Sequence, residues 1–191
     1  MTEQTKTDNA HLVAKLNLRR HFLAKYSGRH DVLDCCQGSG AIWSALKKEF
    51  TIDSYLGVDV KHKKGRLKID SLKLCQQSGI IQNVIDVDTY GSPWKHYEAI
   101  VQNATRPTTI FLTWGMVRQS GDSVIARAIG IRDLKPKPPQ MCLSFLTKWA
   151  LPFVLGLALE RHKVIECKEV VTSSTTARYF GIRLEPLGCA G

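Results

Sequence analysis

A short, largely apolar run ended by a glycine-rich turn constrains this chain more than any other feature: Asp31-Val-Leu-Asp-Cys-Cys36, then Gln37-Gly-Ser-Gly40. Such a run, closed by turn residues, reads as a buried strand. Glycine at its end lets the backbone turn sharply into the helix expected over Ala41 to Phe50. The same unit recurs down the chain. Tyr55 to Val60 reads as a second strand, followed by the basic turn Lys61-His-Lys-Lys-Gly65. Arg66 to Asp70 is a brief third strand, with a helix over Leu72 to Gln77. Asn83 to Asp88 is a fourth, stopped by Thr89-Tyr-Gly-Ser-Pro93, with a helix over Trp94 to Asn103 and a fifth strand over Thr108 to Trp114. Ahead of them, Leu12 to Tyr26 alternates apolar and basic residues at helical spacing. Repeated strand and helix predict an α/β fold, a doubly wound, Rossmann-like and mostly parallel sheet in a three-layer sandwich.

The rest of the chain completes one domain. Gly115 to Gln140, rich in glycine, proline and basic residues, reads as an inserted substrate loop or a small helical cap. Leu143 to Arg161 predicts an apolar helix. Its core, Trp149 to Leu159, is shorter than the roughly 20 residues a bilayer needs and carries a proline, so it reads as buried and not as a membrane span. Lys163 to Thr172 and Ala177 to Leu184 are strand-like, joined by the turn residues Ser173 to Thr176, and predict an antiparallel C-terminal strand pair at one edge of the sheet. At 191 residues a single domain over 1–191 is expected, with a loose N-terminus at 1–10 and the irregular insertion at 115–140.

Charge and cysteines narrow the function classes. The chain holds 27 Lys and Arg against 17 Asp and Glu, a formal charge of +10, which favours an anionic partner, nucleic acid before a membrane surface. The runs Lys61 to Lys68, with Lys61, Lys63, Lys64 and Arg66, and Arg132 to Lys137 are the candidate phosphate contacts. The six cysteines show no Cys-x-x-Cys spacing and no disulfide framework, and Met1 to Lys15 lacks the apolar stretch of a secretory signal, so a reduced, cytoplasmic setting is expected. The six histidines are scattered without metal-ligand spacing, and no metal site is expected.

In doubly wound sheets ligands sit beyond the carboxyl ends of the strands, and each candidate motif falls at such an end. Gly38 and Gly40 leave room for a ligand to approach a helix N-terminus. Asp59 closes the second strand about 20 residues on, the separation at which an acid meets ribose hydroxyls. A carboxylate suits a vicinal diol because it accepts two hydrogen bonds. Asp70, followed by Ser71, ends the third strand, where a carboxylate can receive an adenine amino group. Each of these acids can equally cap the turn or helix that follows. Asp34 begins the run Asp34-Cys-Cys-Gln-Gly38-Ser-Gly40 that leads from the first strand into the helix.

This set of strand ends resembles the class I S-adenosylmethionine-dependent methyltransferase family over residues 31–115, with the final hairpin matching that family's antiparallel strand pair. Dinucleotide dehydrogenases match less well, because Trp43 stands where their third glycine packs a helix against a strand. The run Asp86-Val-Asp88-Thr-Tyr90-Gly-Ser-Pro93 is similar to the signature of methyltransferases that act on amino groups of bases. It is closest to the Asp-x-Asp-Pro-aromatic-Gly-Ser-Pro run of tRNA guanine-N2 dimethyltransferases, from which it departs at Thr89, where those enzymes have proline. The resemblance implies S-adenosylmethionine as cofactor, held by Asp34, Gly38, Gly40, Asp59, Asp70 and Ser71. It implies Asp88 as the catalytic acid side chain and Tyr90 as the aromatic that stacks the base. It implies methyl transfer to an exocyclic amine of a nucleic-acid base, RNA guanine ahead of DNA. Trp94 and Trp114 lie near strand ends and are candidates to line the substrate pocket, although core packing is the commoner role. Two alternatives stay open: the same fold acting on a protein or small molecule, and a non-catalytic nucleic-acid-binding relative.

Overall fold

A computed structural model describes residues 11–26, 28–61, 67–89, 91–115, 123–131, 143–171 and 177–188. Helix and strand alternate through α1 (Leu12–Lys25), β1 (Asp31–Asp34), α2 (Ala41–Leu46), β2 (Ser54–Asp59), β3 (Leu67–Lys68), α3 (Ser71–Cys75), β4 (Val84–Val87), α4 (Trp94–Asn103) and β5 (Thr108–Gly115). Then come α5 (Ser123–Ala128), α6 (Leu143–Phe145), a π-helical turn (Leu146–Ala150), α7 (Leu151–Gly156), a 3-10 turn (Leu157–Glu160), and the strands β6 (His162–Val171) and β7 (Ala177–Pro186).

Seven strands form one sheet in the order β3-β2-β1-β4-β5-β7-β6. The first five run parallel, and β7 lies antiparallel between β5 and β6. This is the expected doubly wound sheet with its C-terminal hairpin at one edge. The strand order reverses between β1 and β4, the switch point beyond whose carboxyl ends ligands sit in doubly wound sheets, here called the crevice.

Alternating side chains divide the core between two faces. Val32, Val84, Phe111 and Tyr179 pack under α1 and α2 with Leu16, Leu18, Phe22, Trp43 and Leu46. Leu33, Ile85, Val87, Ile110, Leu112 and Ile182 pack on the other face with Cys75, Trp94, Tyr97, Ile100, Val124, Leu151 and Val154 from α3, α4, α5 and α7. Three layers result.

One expectation needs correction. The apolar stretch over Leu143 to Arg161 is not a single buried helix. Pro152 has no N–H to donate, and its ring crowds the carbonyl four residues back; the wide π turn directly before it relieves that clash. Only one face meets the sheet: Leu146, Ala150, Leu151, Val154 and Ala158 are buried, whereas Trp149, Phe153 and Leu159 are 57%, 59% and 61% exposed. The expected cap at 115–140 contains the helix α5; Arg132 to Lys137 lie outside the described residues. Among the described residues no helix is long and apolar enough to cross a membrane.

α1 is set closely onto the hairpin. Gly181 in β7 meets the edge of the Phe22 ring so tightly that an added Cβ would fall 2.3 Å from it. Phe22 is 1% exposed and stands edge-on to Phe111 at 5.7 Å between ring centres. It has no free direction in which to move. We therefore expect Gly181→Ala to destabilise the fold by about 1–3 kcal/mol, the usual cost of overpacking a core, read as a lower midpoint in chemical denaturation. An unchanged midpoint would mean that α1 can shift on the sheet.

Candidate active site

The glycine turn after β1 is built from backbone bonds to its neighbours. Cys35 N donates to Asp86 O at 2.8 Å, joining the ends of β1 and β4, and Gln37 N donates to Val58 O at 3.0 Å, joining the turn to β2. Gly38 and Gly40 hold positive φ angles of 50° and 73°, a conformation that favours glycine. A Cβ at Gly40 would sit in ordinary contact with the Gln37 side chain at 3.8 Å, so it is the positive φ and not crowding that calls for glycine there.

Asp59 stands at the end of β2, across from this turn. Its Oδ2 accepts from Gly38 N at 3.1 Å and its Oδ1 from Lys61 N at 2.8 Å. It locks the glycine turn to β2, and each oxygen retains a lone pair for a further donor. Asp70 serves as the N-cap of α3, accepting from Leu72 N at 3.0 Å. Ser71 is buried and its Oγ lies 3.0 Å from His96 Nε2, which ties α3 to α4. Burial lowers the proton affinity of His96.

The fourth strand delivers two more carboxylates. Asp86, 1% exposed, receives a two-pronged bond from Arg19 of α1, Nε to Oδ2 at 2.7 Å and Nη2 to Oδ1 at 2.5 Å. Trp43 Nε1 of α2 adds a third at 2.8 Å. Two residues on, Asp88 accepts from Lys15 Nζ on both oxygens, at 2.6 and 2.8 Å. The loop beyond Asp88 is pinned to the end of β5 by Gly115 N donating to Gly91 O at 2.9 Å. A Cβ at Gly115 would come within 3.3 Å of Gly91 N, so close approach calls for glycine there. The Thr89 hydroxyl, standing where proline was the expected residue, is buried without a hydrogen-bond partner among the described residues.

Asp34, Asp86 and Asp88 thus share the face of the sheet that α1 and α2 cover. Asp34 is 4% exposed and accepts from the Tyr55 hydroxyl at 2.8 Å. It lies beneath the turn, supporting it, and is not presented to the crevice. Burial and the charge of Asp86 push its carboxyl up to about 7, against the opposing pull of the Tyr55 hydrogen bond and Arg19. Burial first, and then Asp34, raise the Tyr55 phenol and the Cys36 thiol as well, so neither ionises near neutral pH.

The crevice therefore gathers Gly38, Gly40, Asp59 and Asp88 from the residues singled out in the sequence. Trp94 and Trp114 are corrected: both are fully buried, stacked edge to face at 5.2 Å. Each side chain turns inward where its helix or strand packs, so neither lines a pocket. Lys61 is exposed beside Asp59. Tyr90, Lys63, Lys64 and Arg66 lie outside the described residues. Sequence reading missed Lys15 and Arg19. Their signal was present in α1, where cations four residues apart fall on the same face as Leu16, Leu18, Phe22 and Leu23. A lysine and an arginine inside an apolar stripe call for buried acids opposite them.

The strand order is that of the class I S-adenosylmethionine-dependent methyltransferase fold, and solved structures are similar to the chain in fold. Trm1 from Pyrococcus horikoshii, determined with S-adenosyl-L-methionine, matches 92% of this chain with a TM-score of 0.57 and 14% sequence identity; the chain spans 56% of that protein. The plantazolicin methyltransferase BamL, determined with a substrate analogue and SAH, matches 91% of this chain and 84% of its own, at a TM-score of 0.54 and 10% identity. Trm5b from Pyrococcus abyssi matches 90% of this chain and 49% of its own, at 0.52 and 11%. No protein-family model and no curated protein matches the sequence.

The raised carboxyl of Asp34 has a measurable sign. Folded, it holds a proton up to about pH 7; unfolded, it loses that proton near pH 3.9. Its contribution favours the folded state below about pH 4 and is lost as pH rises through 7. An asparagine keeps an acceptor for Tyr55 and carries no charge. Asp34→Asn should therefore melt higher than wild type at pH 8, with the gap closing towards pH 5. A gap independent of pH would show that Asp34 is ionised throughout.

Proposed function

We propose that the protein transfers a methyl group from S-adenosylmethionine to an exocyclic amino nitrogen of a nucleic-acid base, with guanine in RNA as first choice. The observation that carries this reading is the place of Asp88: a carboxylate at the carboxyl end of β4, its following loop pinned to β5, next to a glycine turn braced by Asp59. The residues suit the cofactor. The turn carries no side chain at Gly38 and Gly40, where its amino-acid end would lie, and Asp59 keeps lone pairs for a ribose diol. When bound, the cofactor supplies an electrophilic methyl on a sulfonium.

The acceptor sets the chemistry asked of the protein. An exocyclic amine conjugated to a base is a poor nucleophile because its lone pair is delocalised into the ring. Asp88 accepts one of its two hydrogens, and a backbone carbonyl of the Thr89 to Pro93 loop accepts the other, drawing the nitrogen towards tetrahedral geometry. The lone pair would then be free to attack the methyl group that the cofactor supplies, and Asp88 would receive the surplus proton from nitrogen along its hydrogen bond. Positioning supplies much of the rate. Tyr90 would stack the base once it leaves its helix, a contribution of about 1–3 kcal/mol. The +10 charge and the tRNA-related naming of Trm1 and Trm5b favour an RNA acceptor. BamL, a plantazolicin methyltransferase, keeps a small-molecule acceptor as the competing reading.

Incubation with methyl-labelled S-adenosylmethionine and separate pools of cellular RNA and DNA, followed by nucleoside mass analysis, tests the proposal. N-methylated guanosine is the expected product; label in neither pool would exclude nucleic acid as the acceptor. Two variants separate the roles within the site. Asp59→Ala should weaken cofactor binding in calorimetry by tenfold or more, because the diol and the glycine turn both lose their acceptor. Asp88→Asn should leave cofactor affinity within about threefold and lower turnover by about 10²–10⁴-fold, the range for orienting and acid–base groups. Transfer at the wild-type rate in Asp88→Asn would remove that residue from the chemistry.

A further inference from the structure

We infer that Lys15 is a positioning residue of the active site, acting on the acceptor amine through Asp88. The inference rests on the methyl-transfer reading above and extends its site to α1, which lies outside the span of sequence that resembles methyltransferases.

The geometry is specific. The Lys15 ammonium lies between the two oxygens of Asp88, 2.8 Å from one and 2.6 Å from the other. A single donor held on both oxygens fixes the plane of the carboxylate. Each oxygen then keeps a lone pair on its outer side, so the directions left for a substrate N–H are set by where the lysine stands. Among the described residues no other side chain holds this carboxylate.

Lys15 is itself held. It is 6% exposed, and its ammonium also stands 5.5 Å from the centre of the Tyr179 ring. Its carbonyl accepts from Arg19 Nη1 at 3.0 Å, one helical turn on, and Arg19 is anchored on Asp86. The two cations differ in what they meet. Arg19 faces an acid that is wholly enclosed, where it joins α1 to the sheet. Lys15 faces the acid at the rim, whose side chain is 16% exposed and stands first in the loop after β4. A staple for α1 already exists in Arg19, in Phe22 against Gly181, and in Glu166 of β6, which binds His21, Lys25 and Tyr26. The further cation on Asp88 adds little to attachment and determines how that carboxylate is presented.

The test is single-turnover methyl transfer with labelled S-adenosylmethionine and the cellular RNA pool, at saturating cofactor, comparing wild type with Lys15→Met, Lys15→Gln and Lys15→Arg. Methionine keeps the apolar stem, glutamine keeps a neutral donor, and arginine keeps the charge. We expect Lys15→Met to bind cofactor within about threefold of wild type and to transfer about 10- to 100-fold more slowly. Lys15→Arg should recover most of that loss, which a merely structural role would not predict once all variants melt at similar temperatures. If Lys15→Met does not fold, the same comparison is read from Lys15→Gln. Wild-type transfer with an unchanged rate in the folded, uncharged variant overturns the role of Lys15 alone. A loss that follows the melting temperature and is not recovered by arginine also overturns it. Absence of transfer by the wild-type protein removes the function reading, and this inference with it.

Discussion

The buried pair between Arg19 and Asp86 is the contact on which the arrangement of this molecule depends. Both side chains are almost wholly enclosed, and the guanidinium meets the carboxylate with two short bonds while Trp43 supplies a third donor. An ion pair out of water survives only when its lone pairs and protons are so satisfied. Loss of either partner would strand a charge in the core, at a cost of about 3–5 kcal/mol. Three elements meet at this point: α1, α2 and the end of β4. α1 therefore has one position along the sheet. That position sets Phe22 over Gly181 and places Lys15, one turn before Arg19, over Asp88.

The same constraint explains the crowding of charge beneath the crevice. Asp34, Asp86 and Asp88 come from neighbouring strands, and the α1 layer brings only two cations to meet them. Asp86 and Asp88 take the cations. Asp34 is left with a phenol hydroxyl, and its burial and the charge of Asp86 raise its proton affinity.

The edges of the sheet carry their own protection. Among the described residues β3 has two. β6, the opposite edge, is long, but a bulge at Ile165 breaks its pairing with β7, and Lys163, Lys168 and Glu169 place charges along it. Short, bulged and charged edges discourage pairing with another chain. The bulge also brings Glu166 to α1, where His21, Lys25 and Tyr26 surround it and hold its carboxyl down at about 2 despite its partial burial.

The order of strands and helices was legible in the sequence because each strand of a parallel sheet is an apolar run closed by turn residues, and glycine at such a closure has few other uses. The placement of Gly38, Gly40, Asp59 and Asp88 at strand ends was legible for the same reason: it is read from local spacing along one stretch of chain. The roles of Trp94, Trp114, Asp34, Lys15 and Arg19 were not. Whether a tryptophan faces a crevice or a core depends on which way its element turns when packed. Whether a lysine in an apolar stripe is solvated or buried depends on an acid 73 residues away. Local pattern determined the elements and the ends at which a ligand can sit. Only the packing of α1 across the sheet decided which acids are paired, which is left to hold its proton, and which cation stands behind Asp88, because those energies arise from contacts between parts of the chain that carry no trace of one another in sequence.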